Sequence, residues 1–270
     1  MSLQPTAAVL NYPGINCNIE TGEAFELAGA MQEQVFYSEL KSGEKTLNGN
    51  YQFLVIPGGF SDGDDIAAGR TLGIELRTNM TDELNRFVEA GGVIIGICNG
   101  FQVLVETGLL PNGKASEERD KTTALAHNER DMFDCRWGKL KVEDSRCPFI
   151  TPAILGDIIE LPWAHGEGRF LRNDPTDYQR LLDNGQVVLR YANEGGVPTT
   201  DWPENPNGSP YGITGLCDES GLVVGMMPHP ERFVSPELHP NYHRNKILGE
   251  TVTPHGLAVI KSAVDFVKAA

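Results

Sequence analysis

The sequence predicts an α/β fold in which a mostly parallel sheet, with antiparallel additions, is covered by helices on both faces. Three observations predict it. Short β-rich runs alternate with helical patterns through the first two-thirds of the 270 residues, which is the signature of βαβ units. From residue 133 onward, β-rich segments follow one another between Gly, Pro and Asn, and these read as antiparallel strands joined to the same sheet. At 29.5 kDa the chain lies near the length where one hydrophobic core stops growing, so a single domain over residues 6–270 is expected.

Taken in order, the first apolar strand candidates are residues 7–12, 34–38, 53–57 and 93–98. Between them, residues 20–30 and 81–90 carry helical spacing and end at Gly or Ala-Gly, a usual helix stop. The later strand candidates are residues 135–142, 157–163, 187–192, 212–217 and 222–227. Leu257, Ile260, Val264 and Val267 recur at helical spacing, so residues 256–268 are expected to close the fold as an amphipathic helix. Three polar, turn-rich stretches, residues 41–50, 112–128 and 235–254, read as inserted loops.

Charge narrows the partners. The net charge of −15 would repel a phosphate backbone and anionic lipid, so neither nucleic acid nor membrane is expected to bind. No run approaches the roughly 18 to 20 apolar residues of a membrane span, and MSLQPTAAVL lacks the basic flank of a signal peptide; a cytoplasmic protein is expected. The five cysteines are scattered and form no C-x-x-C pair, so they read as reduced thiols and no metal site is expected.

One of those thiols stands apart. In VIIGICNGFQVLVETGLL, residues 93–110, an apolar strand runs into Gly-Ile-Cys-Asn-Gly and then into a helix. A nucleophile on a sharp strand-to-helix turn is exposed at the carboxyl edge of a sheet, and Gly96 and Gly100 relieve the crowding around Cys98. The helix amino terminus aims its N–H groups at the sulfur, which favours an anionic nucleophile. A free cysteine is usually a small buried hydrophobe, but here the turn context favours reactivity.

A thiol nucleophile needs a base and a group to orient that base. GMMPHPER, residues 225–232, supplies His229 and Glu231 two positions apart, on one side of the chain if the segment is extended. An oxyanion must also be held. Gly58, Gly59 and Phe60 follow a strand and could turn N–H groups toward Cys98, and Asn99 is the residue after the nucleophile.

GICNGFQ (96–102), PGGFSDGDD (57–65), HGEGRF (165–170), NPNGS (205–209) and GMMPHPER together resemble the glutaminase subunits of phosphoribosylformylglycinamidine synthases, within the class I glutamine amidotransferases. The resemblance implies a doubly wound, flavodoxin-like sheet in which Cys98 attacks the side-chain amide of glutamine. His229 and Glu231 would assist, Gly59 and Asn99 would hold the oxyanion, and a glutamyl thioester on Cys98 would be hydrolysed. Gly58, Phe60 and Gln102 would lie against the substrate, while His165, Gly166 and Glu167 match a loop that helps bind its amino-acid end.

The resemblance also implies no cofactor in this chain. ATP and Mg would belong to a large synthetase subunit that receives the ammonia, and a small bridging subunit could join the two. Asp62 and Asp65 depart from the family pattern, where aromatic residues are expected. Cys17 matches a family position with no base evident near it in the sequence, and Cys135, Cys147 and Cys217 read as packing residues. The residues alone leave open a glutaminase feeding another synthetase, a different cysteine hydrolase on this fold, or an inactive binding module.

Overall fold

A computed structural model describes residues 4–270. Its strands are β1 (Thr6–Asn11), β2 (Met31–Phe36), β3 (Phe53–Ile56), β4 (Val93–Ile97), β5 (Thr123–Ala126), β6 (Asp134–Val142), β7 (Ile158–His165), β8 (Arg169–Arg172), β9 (Val187–Ala192), β10 (Ile213–Cys217) and β11 (Val223–Met226). The helices are α1 (Asn18–Leu27), α2 (Tyr37–Ser42), α3 (Arg70–Asn79), α4 (Thr81–Glu89), α5 (Asn99–Glu106), two short turns α6 (Leu109–Asn112) and α7 (Pro152–Leu155), α8 (Thr176–Asp183), α9 (Tyr242–Leu248) and α10 (His255–Ala269).

Nine strands form one sheet in the order β2-β1-β3-β4-β11-β10-β9-β6-β7, and β5 pairs with β8 in a separate ribbon. The first five positions in that order are mutually parallel, which is the flavodoxin-like arrangement. The other four strands are joined by antiparallel ladders. Helix α1 links β1 to β2 in one direction across the sheet, whereas α3 and α4 link β3 to β4 in the other. Right-handed crossovers therefore place them on opposite faces. Accordingly α1 packs against α10, and α3 against α5.

The strands at the centre are apolar on both sides because both sides are covered. Every residue of FLVI in β3, VIIGI in β4 and VVGM in β11 is buried, as expected where helices cover both faces. On α4, Leu84 and Phe87 turn inward while Asp82 and Glu83 occupy the first turn, where acids complement the helix dipole. On α10, Val259, Ile260, Ala263 and Val264 are buried, bearing out the helical spacing at the chain end.

Several boundaries differ from the sequence expectation. The second strand begins at Met31 rather than Gln34, because an edge strand needs main-chain pairing with β1 more than apolar side chains. It stops at Phe36, whose N–H is taken by Glu39 Oε2 at 2.7 Å, starting α2. The stretches expected as loops hold structure of their own: β5 falls within residues 112–128 and α9 within residues 235–254. The sequence reading also missed α3, α8 and β8. Among the described residues, no helix is long and apolar enough to cross a membrane.

Candidate active site

Strand order brings distant parts of the sequence together. In the sheet β4 lies between β3 and β11, all three running parallel. The segments leaving their carboxyl ends carry Gly58 and Gly59, Cys98, and His229 respectively, so these become neighbours at one edge of the sheet. Cys98 extends the pairing of β4 by donating its N–H to Met226 O at 2.7 Å. The chain then turns sharply, with Cys98 at φ 51° and ψ −105°, a left-handed conformation that is strained for a side-chain-bearing residue. Helix α5 starts at the next residue.

The flanking glycines are required by space. A Cβ on Gly96 would sit 2.6 Å from Gly100 O, and one on Gly100 would sit 1.9 Å from Ile56 O at the end of β3. The expected nucleophile turn is therefore present, with Cys98 buried but for 6% of its surface and its Sγ 3.6 Å from Ala164 O.

His229 is buried, its N–H fixed by Pro162 O at 2.8 Å, and its Nδ1 lies 2.6 Å from Glu231 Oε1. The pair forms through a 3-10 turn over Pro230–Arg232, not through the extended segment that sequence spacing suggested. Helix α10 braces that turn: a Cβ on Gly256 would come within 1.9 Å of Pro230 O. His229 Nε2 and Glu231 Oε2 are buried without a hydrogen-bond partner among the described residues. Burial works against charge on the ring, but the Glu231 carboxylate, followed by Cys98 and Cys17, outweighs it and holds the His229 pKa well above its ordinary value.

Cys17 thus has basic neighbours after all. Arg232 Nη2 donates to Cys17 Sγ at 3.0 Å, and the sulfur, His229 and Glu231 offer donor atoms within 4.8 Å of one another. That donor set would suit zinc in type, but His229 Nδ1 is bonded directly to Glu231 Oε1 and Cys17 Sγ accepts from the cationic Arg232 guanidinium. Gly58 lies here as well. A Cβ on it would meet His229 Cε1 at 2.7 Å and Cys17 Sγ at 3.3 Å, so Gly58 packs against the imidazole and, unlike the other residues expected around the substrate, does not line the cavity beside Cys98.

A cavity of about 120 Å³ opens beside Cys98. Gly59, Phe60, Gln102, His165, Gly166 and Glu167 all line it with Cys98, so most of the residues singled out in the sequence converge on one space. Among the described residues, neither the Gly59 nor the Asn99 N–H donates to a protein acceptor, leaving both free for an oxyanion. The Phe60 N–H is not free, since it donates to Gly14 O at 2.9 Å; its ring stands at the mouth near Phe133 instead. Gln102 donates through Nε2 to Glu167 O and accepts from Asn99 Nδ2 at 2.9 Å, so its amide shapes the wall.

His165 differs most from its expected role. Its Nδ1 meets Asn128 Oδ1 at 3.2 Å and its Nε2 meets Tyr191 OH at 3.1 Å, so both ring nitrogens are taken. Asn128 Oδ1 also accepts from the Gly168 N–H, which makes Nδ1 the protonated nitrogen and Nε2 an acceptor for the tyrosine hydroxyl. Burial, followed by the charge of His229, lowers the His165 pKa to about 4 and keeps the ring neutral. Its ring lines the cavity with both nitrogens already bonded within the protein.

The same network explains NPNGS. Asn207 Nδ2 donates to Gly168 O at 2.7 Å and to Tyr191 OH at 3.1 Å, while its Oδ1 accepts from the Ser209 N–H at 2.9 Å. Ser209 Oγ accepts from the Phe170 N–H at 3.0 Å. Two motifs about forty residues apart are thereby locked together behind the cavity. Sequence reading missed Asn128, Tyr191, Phe133 and Arg232, because their roles exist only across strands. Cys147 and Cys217 are buried as expected, whereas Cys135 is exposed on β6.

Residues 4–267 match the family model described as a CobB/CobQ-like glutamine amidotransferase domain. The chain is 38% identical over 272 residues to the phosphoribosylformylglycinamidine synthase subunit PurQ of Methanococcus maripaludis, covering 97% of each. It is 41% identical over 261 residues to the corresponding subunit of Dehalococcoides mccartyi, covering 96% of each. A chain in the solved structure of PurLQS from Thermotoga maritima is similar with a TM-score of 0.71 and 32% identity, over 98% of this chain and 100% of that one.

Proposed function

This chain belongs to the CobB/CobQ-like glutamine amidotransferase family, and on that premise we propose that it is the glutaminase subunit of a phosphoribosylformylglycinamidine synthase. The reading is carried by one observation. A strained cysteine at the end of β4 lines a cavity together with Gly59, whose N–H is unclaimed, and interacts with the imidazole of a buried His–Glu pair at the end of β11.

The chemistry follows from those groups. Cys98 Sγ attacks the carboxamide carbon of glutamine, and the oxygen that becomes negative is stabilised by the N–H groups of Gly59 and Asn99. As the S–C bond forms, His229 Nε2 takes the Cys98 thiol proton, Glu231 stabilises the resulting imidazolium, and that proton then goes to the departing nitrogen, which leaves as ammonia. The glutamyl thioester remains on Cys98. His229 then takes a proton from water, the hydroxide attacks the thioester carbon, and the thiol and glutamate are released.

The ammonia passes to a large synthetase subunit, which uses ATP and Mg to amidate formylglycinamide ribonucleotide in purine biosynthesis, with a small bridging subunit between them. The relative named PurLQS supports such an assembly. The five free thiols suit a reducing compartment such as the cytoplasm.

The experiment is Cys98→Ala in the complex with the synthetase. Glutamine-dependent amidation is expected to disappear while amidation from added ammonium persists. Glutaminase activity surviving in that variant would refute the assignment of the nucleophile.

A further inference from the structure

The cavity beside Cys98 is lined by two acids, Asp64 and Glu167, and among the described residues by no lysine or arginine. The carboxamide at the reacting end of the substrate is neutral and gains nothing from a carboxylate. Acids on this wall therefore face a different part of the ligand. Resting on the glutaminase reading, we propose that the Asp64 carboxylate receives the α-ammonium group of glutamine and so selects the free amino acid over other primary amides.

The two acids are not equivalent. Glu167 Oε2 accepts from the Ala68 N–H at 3.1 Å, and its Oε1 has a histidine ring nitrogen, His127 Nδ1, 3.8 Å away, a contact that becomes an ion pair when that ring is protonated. Asp64 is engaged at one oxygen. Its Oδ1 accepts from Asn99 Nδ2 at 3.0 Å and from the Gly69 N–H at 3.3 Å, while Oδ2 accepts from no donor among the described residues. Asp64, which lines the cavity, thus keeps an oxygen with neither a hydrogen-bond donor nor a basic side chain beside it among the described residues.

Its placement ties it to the chemistry. Asn99 supplies the main-chain N–H proposed for the oxyanion, and the side chain of the same residue holds Asp64 Oδ1. Recognition at one end of the substrate and stabilisation at the other are then set by one residue. Partial burial, with Glu167 nearby, pushes the Asp64 carboxyl above its ordinary range despite the hydrogen bonds that lower it. An ammonium group beside Oδ2 would relieve that cost. The α-carboxylate, with no lysine or arginine lining the cavity, would be met by main-chain N–H groups.

Asp64→Asn keeps the acceptor oxygen for Asn99 and Gly69 and removes only the charge. The test compares L-glutamine with its des-amino analogue, 4-carbamoylbutanoate, in the reconstituted complex. The analogue keeps both the carboxamide and the carboxylate but lacks the ammonium. The variant is expected to lose about 10- to 100-fold in kcat/KM for glutamine, mostly in KM, as for one charge-assisted hydrogen bond. Hydrolysis of the analogue, or its Ki against glutamine where turnover is too slow to follow, should change by less than about twofold.

Equal losses on both compounds, or no loss on glutamine, would overturn the proposal. Labelling of Cys98 by iodoacetamide at close to the wild-type rate would report an intact nucleophile turn in the variant. A wild-type complex inert toward both compounds would remove the glutaminase reading itself, and this proposal with it.

Discussion

The parallel half of the sheet presents several buried polar groups without partners, whereas in the antiparallel half the groups around His165 are engaged with one another. At the ends of β3, β4 and β11 stand a cysteine in a strained conformation, a free imidazole nitrogen, a free carboxylate oxygen and two free N–H groups. Behind the opposite wall of the cavity, His165, Asn128, Tyr191, Asn207 and Ser209 bond to one another and to main chain. Buried groups without partners are costly, so a protein keeps them where they have work to do. A completed network instead fixes a surface in place. The comparison teaches that the first region should govern rate and the second should govern stability and the shape of the binding wall.

Glu231→Gln gives the largest separation. The Glu231 carboxylate offsets the cost of burying a charged His229, and an amide would remove that compensation while keeping the shape. Loss of the acid in a nucleophile–His–acid triad costs on the order of 10³- to 10⁴-fold in kcat. The expected result is such a loss with KM for glutamine nearly unchanged, measured as glutamate release in the complex. A loss confined to KM would contradict the division between the two halves.

Asn207→Ala should act in the opposite way. It leaves Gly168 O, Tyr191 OH and the Ser209 N–H each short of a buried partner. The cost is expected at about 3 kcal/mol in unfolding free energy, read from urea denaturation. KM for glutamine should rise as the wall of residues 165–168 loosens, while kcat falls by less than about tenfold, well below the loss for Glu231→Gln. If kcat fell as far as in Glu231→Gln, the network would belong to the reaction itself.

The difference between the halves also accounts for what could be read from the sequence. Cys98 was legible because its signal is local: a strand, two glycines at fixed offsets and a helix. His229 and Glu231 were legible as a pair, although the extended backbone assumed for them is a 3-10 turn. Gly59 and Asn99 followed from chain order. His165 was assigned to substrate because its motif matches a family loop at the amino-acid end of glutamine, and only the fold reveals that Asn128 and Tyr191 claim both its nitrogens. Cys17 was passed over because its neighbours, His229 and Arg232, lie more than two hundred residues away. Periodicity likewise found the central strands but not the polar edge of β2 or the short ribbon of β5 and β8, where pairing does not depend on an apolar pattern.

The smallest effect expected is a pH dependence that belongs to the antiparallel half. The His165 pKa is lowered in the folded protein to about 4, first by burial and then by the charge of His229, with Asp134 opposing. Between the ordinary histidine pKa and that value the unfolded chain binds the proton and the folded chain does not, so stability rises with pH across the interval. The contribution is fully present above about pH 6.5 and is lost as pH falls toward 4. Between pH 8 and pH 5 the loss is about 2 kcal/mol. Unfolding free energies of the wild type and His165→Gln, measured at each pH, isolate it: the wild-type advantage should shrink on acidification, and a constant difference would show that His165 does not stay neutral. Adding His229→Gln to the comparison removes the cation that depresses His165 from the other half of the sheet. The window should then narrow, because the two rings interact through charge although neither is hydrogen-bonded to the other.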